Sequence, residues 1–455
     1  NRFEVLECEA ARDAVLAGEL DGEPLRKGGM DVLAQHILGV ACSSPFDAGA
    51  LFVEVKSASP YRDLSRTDFD AAVDFVATGG YALKRYDRYA KLRKTQEGFW
   101  RVAHPRIAQQ YRLNVGVIIE DPMIDIRLQS KGKPTGAGGR VLGKLEEYFI
   151  ETLTPGDTFV FSGDVLRFEG IHENAAFVTR TNDPEAQIPS YNGGKFPLST
   201  FLAIRGRQML SDPRQWKRLP HPVGEWLEIQ QLRSKIPDEG ELLVETFPRG
   251  SKNYLVCYPF EGRLAHQTLG MLVTRRLERL RMRPLGFVAN EYALAVWALR
   301  DMSGVDMDAL FSEDMLGDDL EDWLADSALY KRTFRNCAII SGLIERRSLT
   351  AEKTGRQVTF SSDLIYDVLR EHEPDHILLR ATYEDAATGL LDIGRLSGAL
   401  TRVKGNITSR ALDRVSPLAV PALLEISKEM VAGEAREDIL HEAEESLVAE
   451  AMLVD

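Results

Sequence analysis

The sequence of 455 residues predicts a multidomain α+β protein, and three successive patterns support this class. Residues 31–78 show helical hydrophobic periodicity, whereas residues 114–190 are mostly short runs of β-branched and aromatic residues separated by turns. Strand and helix patterns then alternate in the remainder. At roughly 100 to 200 residues per domain, this length corresponds to about two to four domains.

A winged helix is predicted for residues 26–112. Apolar residues recur at helical spacing in 31–42, 43–58 and 65–80, and the polar segment 94–98 separates two short alternating runs, as in a hairpin. Three helices followed by a hairpin is the element order of a winged helix. The side chains expected to cap the helices are Asp31, Ser44 and either Ser65 or Thr67.

A small β-barrel is predicted for residues 113–205, and a C-terminal α/β and helical module for residues 206–455. The barrel prediction depends on short strand patterns that are bounded by Gly, Asp and Pro turns. These strand patterns lie at 115–120, 123–129, 158–163, 165–171 and 175–180. In the C-terminal module, strands are predicted at 241–248, 252–259, 284–290 and 292–299, with a helix at 266–280.

The overall charge excludes a uniformly basic nucleic-acid-binding protein, because 69 Asp and Glu against 56 Lys and Arg give a net charge of −13. A locally basic surface remains compatible with this total. The widely spaced Cys8, Cys42, Cys257 and Cys337 form neither a zinc motif nor a dense disulfide framework, so reduced thiols are expected. The sequence contains no secretory signal pattern and no apolar run of about 20 residues, so we expect a cytoplasmic protein without membrane association.

The motifs of nucleotide and metal binding are missing from the sequence. The segment GAGGR at 136–140 lacks the Lys and the Ser or Thr of a phosphate-binding P-loop, and no G-x-G-x-x-G opens a helix. His372 and His376 are four residues apart, but Pro374 interrupts the helix that would align them, so a surface turn is favoured over a metal site. No catalytic residue and no metal ligand is therefore assigned.

The strongest sign of function is residues 81–114, called the basic segment, which contain nine Lys or Arg and two acidic residues. Aromatic residues alternate with these cations. Cations neutralise phosphates and aromatic rings stack on bases, so this composition indicates a nucleic-acid-binding surface. For Trp100, packing in the base of the wing is the alternative. The candidate nucleic-acid-binding residues here are Lys84, Arg85, Arg88, Lys91, Arg93, Lys94 and Trp100.

A second candidate is the glycine-containing segment 189–200. Tyr191 presents a stacking face and Lys195 a phosphate contact, while Ser199 or Thr200 is placed to cap the helix that follows. A plain loop and helix cap is the alternative interpretation. Weaker candidates, for which local pairing or turn solvation explains the residue equally well, are Lys133, Arg140, Arg249, Arg263 and His266.

Two acidic runs interrupt the C-terminal module. Residues 301–326 contain ten Asp or Glu and no Lys or Arg, and residues 429–455 contain nine acids and one base. Solvated helical faces are the favoured interpretation, and docking of a protein partner is the alternative.

Several strings of the sequence resemble one helicase family. Among them are DVLAQHILGVACSSPFDAGALFVEV, RVLGKLEEYFIETLTPGDTFVFSGDVLRFEGI, PSYNGGKFPLSTFLA and ELLVETFPRGSKNYLVCYPFEGRLAHQTLGMLVTRR. Together they resemble the post-motor half of the bacterial ligase-associated DEXH-box helicases, the Lhr (long helicase-related) core type, over nearly the whole chain. The resemblance implies two RecA-like lobes before Asn1, with residues 1–25 as the linker from the missing lobe.

The resemblance also implies an activity for the parent protein. Its relatives are single-stranded-DNA-dependent ATPases that move 3′ to 5′ and unwind duplexes, including RNA:DNA hybrids. ATP and Mg²⁺ would be held by the missing RecA-like lobes, with no cofactor in this chain. In the loop that matches PSYNGG, longer relatives use an aromatic residue, a Trp, to stack on a base of the tracking strand, and Tyr191 stands at that position here.

The expected function is therefore the DNA-binding accessory half of an ATP-dependent 3′-to-5′ DNA helicase or translocase in DNA repair, which engages the single-stranded tracking strand. The expected partners are single-stranded DNA, DNA or RNA:DNA duplex, the protein's own RecA-like lobes, and a ligase and nuclease of the same repair operon. Two alternatives stay open. One is a glycosylase-like or nuclease-like activity, suggested by related arrangements in DNA glycosylases, and the other is an interaction or oligomerisation scaffold, suggested by the acidic runs.

Overall fold

The structure is a computed structural model. No helix in the part of the chain that it describes is both long enough and apolar enough to cross a bilayer. The described residues are 2–19, 22, 26–119, 123–129, 139–146, 149–150, 153–161, 163–172, 175–183, 186, 198–320, 328–348, 353, 355–389, 391–430, 446–447 and 449–451.

The N-terminal segment, which was predicted to be a linker, contains helix α1 (Arg2–Leu16). This helix buries Phe3, whose ring centroid lies 4.9 Å from that of Trp226 and 5.0 Å from that of Tyr292. The segment predicted to be a linker therefore includes a helix that packs into the core around Trp226. The sequence did not reveal this because the contacting residues lie more than 200 positions away.

The predicted winged helix is confirmed. Its helices are α2 (Met30–Ser43), α3 (Ala48–Lys56) and α4 (Arg66–Thr78), followed by strands β1 (Leu92–Lys94) and β2 (Trp100–Val102) and by helix α5 (Pro105–Asn114). Two of the predicted caps are wrong. The side chain that caps α3 is Asp47 rather than Ser44, and Asp31 lies inside the first turn of α2, which Gly29 precedes. Ser65 caps α4 as predicted, by accepting a hydrogen bond from Asp68 N at 3.0 Å.

The region predicted to be a barrel forms a curled five-stranded sheet. The strands are β3 (Met123–Leu128), β4 (Arg140–Glu146), β5 (Thr158–Phe161), β6 (Asp164–His172) and β7 (Ala175–Arg180), in the order β4-β3-β7-β6-β5. Strands β3 and β7 pair in parallel, and the other pairs are antiparallel. Among the described residues no ladder joins β4 to β5, so closure of a barrel is not confirmed.

One predicted strand of this region is wrong. Residues 115–119 form no strand, and Val115, Val117 and Ile118 are exposed there. Gly116 adopts φ +144° and exchanges hydrogen bonds with the side chain of Gln35, which replaces the partner strand that the apolar pattern suggested.

The C-terminal part is built on a second five-stranded sheet with the order β10-β11-β9-β8-β12. Its strands are β8 (Leu242–Arg249), β9 (Lys252–Cys257), β10 (Pro284–Ala289), β11 (Leu294–Ala298) and β12 (Ile407–Ala411). The helices of this part are α6 (Thr200–Ser211), α7 (Pro213–Trp216), α8 (His221–Arg233), α9 (Arg263–Arg279) and α10 (Met307–Leu310). The sequence did not predict β12, which pairs in parallel with β8 and exposes three of its residues.

The remaining helices divide among three hydrophobic cores. They are α11 (Ala328–Ile340), α12 (Gly355–His372), α13 (Ile377–Gly389), α14 (Ile393–Val403) and α15 (Val420–Met430). Phe334, Leu369 and Leu378 of α11–α13 share one cluster with the winged helix, whereas Leu396 of α14 packs beside the second sheet and α15 packs in the core around Trp226. Residues 328–389 are therefore attached to the winged helix, although the predicted boundaries place them in the C-terminal module.

Candidate nucleic-acid interface

The basic segment leaves helix α4 through two glycines in the left-handed region. Gly79 has φ +81° and Gly80 has φ +94°, conformations that glycine adopts without the clash of a Cβ atom. The chain then continues through turns and a short 3₁₀ turn (Asp87–Tyr89) into β1. Leu83 and Tyr89 are buried and anchor this stretch to the winged-helix core, which leaves the side chains between them on the surface.

Five of the predicted cations are exposed: Lys84, Arg85, Arg88, Arg93 and Lys94. Within the described part of the chain, none of these five lies within ion-pair distance of a carboxylate oxygen. Their charge is thus left for a ligand or for solvent.

Aromatic rings are interleaved with these cations on the same surface. Tyr81 and Tyr86 are 69% and 59% exposed. The ammonium of Lys84 lies 4.3 Å from the ring centroid of Tyr81, and the guanidinium of Arg88 lies 4.5 Å from that of Tyr89. The surface therefore presents both kinds of group that bind single-stranded nucleic acid. These are positive charges, which attract phosphates, and π-faces, on which bases stack.

The hairpin of the wing places like charges opposite one another. Arg93 of β1 is directly opposite Arg101 of β2, and both side chains are exposed. Like charges that face each other across strands are destabilising. A bound anion would relieve that repulsion, so the pairing favours a phosphate near the wing.

Trp100 contributes to the winged-helix core while keeping one side open. Its backbone exchanges hydrogen bonds of 2.8 and 2.9 Å with Phe46, and its half-buried ring packs against the core. The ammonium of Lys94 lies 4.9 Å from the Trp100 ring centroid. Trp100 thus packs in the base of the wing, which was the alternative to nucleic-acid binding. Its binding role stays a prediction.

Lys91 differs from the other predicted cations because it is buried. Its side chain is 11% exposed, donates to the carbonyl oxygen of Gly342 and lies 3.9 Å from a carboxylate oxygen of Glu345. Burial lowers the pKa of Lys91, while Glu345 acts in the opposite direction. Lys91 is thus a predicted nucleic-acid-binding residue whose side chain the fold largely buries, and its partners are about 250 positions away in the sequence.

The exposed face of helix α4 is acidic. Arg66 is paired with Asp70 at 2.9 Å, Asp68 is paired with Arg380 at 2.9 Å, and Asp74 is exposed. A phosphate backbone would meet repulsion on this face. The exposed cations of residues 84–94 that have no carboxylate partner among the described residues thus lie on the turn and the wing, not on this helix.

The second predicted site, Tyr191 and Lys195, lies outside the described residues, as does Lys133. The last residues of segment 189–200, which the structure does describe, are held by hydrogen bonds. Arg395 donates to the carbonyl oxygens of Leu198 and Ser199, and Ser199 caps α6 by accepting from Leu202 N at 3.1 Å. The cap that was predicted for this helix is therefore confirmed at Ser199.

Three arginines surround one buried carboxylate, Glu261, which is 4% exposed; Arg207 is buried, and Arg395 and Arg402 are partly buried. Arg207 and Arg395 reach its oxygens at 2.7 and 3.0 Å, and Arg402 also donates to it. Burial lowers the pKa of Arg207 to about 10, although Glu261 raises it. Sequence analysis did not identify this cluster, because its members come from three distant segments.

Two of the weaker candidates, His266 and Arg249, have structural partners. His266 is fully buried; its Nε2 accepts from Glu261 N at 2.9 Å and its Nδ1 lies 2.7 Å from the carbonyl oxygen of Asn290. Burial lowers the pKa of His266 to about 4, so it is neutral at pH 7. Arg249 pairs with Glu450 at 3.1 Å. His266 is therefore closed to a ligand, whereas Arg249 is paired but partly exposed.

Part of the first acidic run is paired rather than freely solvated. Arg276 of α9 lies 2.6 Å from Asp314 and 2.8 Å from Asp319, and Arg279 also bonds Asp319. Residues 321–327 of the run lie outside the described residues, as do residues 431–445 of the second run. The prediction of a solvated face is wrong for Asp319, which is buried at the basic end of α9, whereas Asp314 is paired with Arg276 but stays exposed.

A surface turn was predicted for the HEPDH sequence, and this prediction is wrong for its second histidine, His376. His376 is buried against Phe75, with ring centroids 5.4 Å apart, whereas His372 is exposed at the end of α12. The described residues contain no group of three or more His, Cys, Asp or Glu side chains placed to hold a metal ion.

Comparisons with known proteins match most of the chain to one group of helicases. Residues 13–188 match the family model for the winged helix domain of the large helicase-related protein, and residues 236–419 match the DEAD/H-associated family model. Two similar relatives are the ATP-dependent helicase Lhr-Core of Methanocaldococcus jannaschii and the Lhr-Core protein 2 of Thermococcus barophilus. The first is 24% identical over 93% of this chain and 50% of its own length, and the second 25% identical over 99% and 54%.

A solved structure has a similar fold. The helicase Lhr of Mycobacterium smegmatis bound to ssDNA and AMP-PNP aligns with a TM-score of 0.65 at 18% identity, over 92% of this chain and 51% of that one. The chain therefore spans about half the length of the Lhr-Core relatives and of this structural neighbour. At this identity the structural match shows the shared fold alone.

Proposed function

We infer a nucleic-acid-binding role from one premise, namely that this chain belongs to the Lhr family of helicases and forms the C-terminal core region of such a protein. In that setting we propose that it is the DNA-binding accessory half of an ATP-dependent helicase. The finer proposal is a 3′-to-5′ DNA helicase or translocase in DNA repair, in which this half engages the single-stranded tracking strand.

The observation that carries the proposal is the exposed part of the basic segment. Five cations there have no carboxylate partner among the described residues, and Tyr81 and Tyr86 of the same segment have most of their surface exposed. The chain as a whole has a net charge of −13, so this surface is a local exception. Its positive charge attracts phosphates. The ssDNA bound by the structural neighbour is compatible with this role.

The motor function is proposed for the parent protein rather than for this chain. The sequence contains no phosphate-binding P-loop, so ATP and Mg²⁺ would be held by RecA-like lobes beyond this chain. Single-stranded DNA, DNA or RNA:DNA duplex, those lobes, and a ligase and nuclease of the same operon are the proposed partners. The glycosylase-like or nuclease-like activity and the scaffold role stay predictions.

The test is the triple variant Arg85→Ala, Arg88→Ala and Lys94→Ala. Each phosphate contact on a single strand contributes about 0.7 to the slope of log K against log salt, so losing three should lower the slope by about 2. Fluorescence anisotropy of labelled oligo(dT) between about 50 and 200 mM salt measures this slope.

A matched control removes the same number of arginines and lysines from exposed sites outside the basic segment. It is the triple variant Arg12→Ala, Arg214→Ala and Lys217→Ala. We expect the control to keep a slope close to that of the unmodified chain. If both triple variants change the slope equally, the basic segment is not the binding surface and only the total charge matters.

A further inference from the structure

The start of the basic segment is held by residues that lie far away in the sequence. Residues 373–376 connect α12 to α13 and are called the helical corner. Glu373 accepts a hydrogen bond from Ala82 N at 2.9 Å, and His376 Nε2 lies 3.2 Å from the carbonyl oxygen of Gly79. These two contacts span the residues at which the chain turns out of α4, 291 and 297 positions earlier.

The fit between the helical corner and this turn is close. A Cβ atom added at Gly80 would lie 2.5 Å from His376 Nε2 and 3.0 Å from a Glu373 oxygen. Only glycine leaves room for the corner at this position, and it also tolerates the positive φ. The approach of the corner thus requires the same glycines that make the turn.

The hydrogen bonds define the form of His376. Its Nδ1 accepts from Leu378 N at 3.2 Å, so its Nε2 carries the proton and donates to Gly79. Burial lowers the pKa of His376, which favours this neutral form. His376 therefore links the first turn of α13 to the end of α4.

We propose that Glu373 and His376 are positioning residues for nucleic-acid binding, because they fix the turn from which Tyr81, Lys84 and Arg85 project. This inference rests on the proposed function. A surface that is fixed before binding loses less conformational freedom on binding, so its affinity is higher. Helices α11–α13 would then serve as a brace for the basic segment.

A second contact from the same helices supports the brace. Lys91 at the other end of the exposed stretch donates to Gly342 and lies near Glu345, both directly after α11. The stretch with the exposed cations and tyrosines is consequently tied down at its start by the helical corner and at its end by the residues after α11. The cations between these ties have no described carboxylate partner.

The test substitutes a carboxylate whose removal should affect DNA affinity in two opposite ways. Loss of its negative charge should raise the affinity, and loss of its positioning contact should lower it. Glu373→Ala removes a negative charge, which by itself should tighten DNA binding, but it also removes the acceptor of Ala82 N. We expect affinity for labelled oligo(dT) to fall by about two- to tenfold, the equivalent of one hydrogen bond. Glu373→Gln retains an acceptor oxygen and should bind at least as tightly as the unmodified chain.

The matched control is Glu371→Ala, which removes the same charge from an exposed site two residues away. It should bind as tightly as the unmodified chain or more tightly. If Glu373→Ala binds as tightly as Glu371→Ala, the positioning role is overturned.

Loss of folding is separated from loss of positioning by two further measurements. Hydrogen exchange of the Ala82 amide should be faster in Glu373→Ala while the melting temperature stays close to that of Glu371→Ala. If Glu373→Ala does not fold, Glu373→Asp takes its place, because it keeps the charge but shortens the reach to Ala82. Weaker binding by Glu373→Asp supports positioning, and unchanged binding overturns it.

The triple variant of the basic segment, measured in the same assay, keeps the two proposals distinct. A reduced salt slope in the triple variant together with unchanged binding by Glu373→Ala overturns the positioning role alone. An unchanged salt slope in the triple variant overturns the proposed function.

Discussion

Arginine occurs in two opposite settings in this protein. In the basic segment, Arg85, Arg88 and Arg93 are exposed and have no carboxylate partner among the described residues. Around Glu261, by contrast, Arg207, Arg395 and Arg402 converge on one carboxylate in the interior. The first set leaves its charge available for a ligand, and the second uses its charge to join three segments of the chain.

A count of charges along the sequence reveals the first set of arginines but not the second. The cations of the basic segment outnumber the acids within one short stretch, so the excess is visible in the sequence. The arginines around Glu261 are 54, 134 and 141 residues from it, and only the fold brings them together. The local excess of cations was therefore visible in the sequence, whereas the partners of these three arginines were not, because they lie far away along the chain.

The largest expected effect is on stability. Glu261→Ala leaves the buried Arg207 and the partly buried Arg395 and Arg402 without their shared carboxylate, and breaking a buried ion pair costs about 3–5 kcal/mol. Urea unfolding monitored by tryptophan fluorescence should show a correspondingly lower midpoint. The control Asp70→Ala removes an exposed carboxylate from one arginine, Arg66, and should change the free energy of unfolding by less than about 0.5 kcal/mol. Equal losses in the two variants would contradict the structural role of the cluster.

A smaller effect is expected on DNA affinity when the predicted stacking ring is removed. Tyr191→Ala should cost about 1–3 kcal/mol of single-strand affinity, whereas Tyr191→Phe and Tyr191→Trp retain a π-face and should bind nearly as well as the unmodified chain. Anisotropy titrations, with melting temperatures measured alongside, give the comparison. If the Ala and Phe variants bind equally and are equally stable, the ring of Tyr191 does not stack, and Trp100 becomes the next aromatic residue to substitute.

Local patterns predicted the elements and the exposed surface well. The three helices and the hairpin of the winged helix follow from residues that are neighbours in the sequence, and so does the run of exposed cations. Ser65 and Gly79 bound α4 as their types suggest, because capping acts over a few residues.

Features that depend on distant contacts escaped prediction. Lys91 and His376 were placed on the surface, yet each is buried against a segment about 250 or more residues away. Strand β12 was missed because its exposed polar residues lack a strand's alternation, and the pairing with β8 alone orders it. Tertiary partners, rather than residue types, determine these positions.

The most direct test of the central claim is a map of hydrogen exchange with and without single-stranded oligo(dT). We expect slower exchange at residues 81–94 and along β1 and β2, with little change at the exposed face of α4 or around Glu261. Protection confined to α4 or to the C-terminal sheet, with none in the basic segment, would contradict the account.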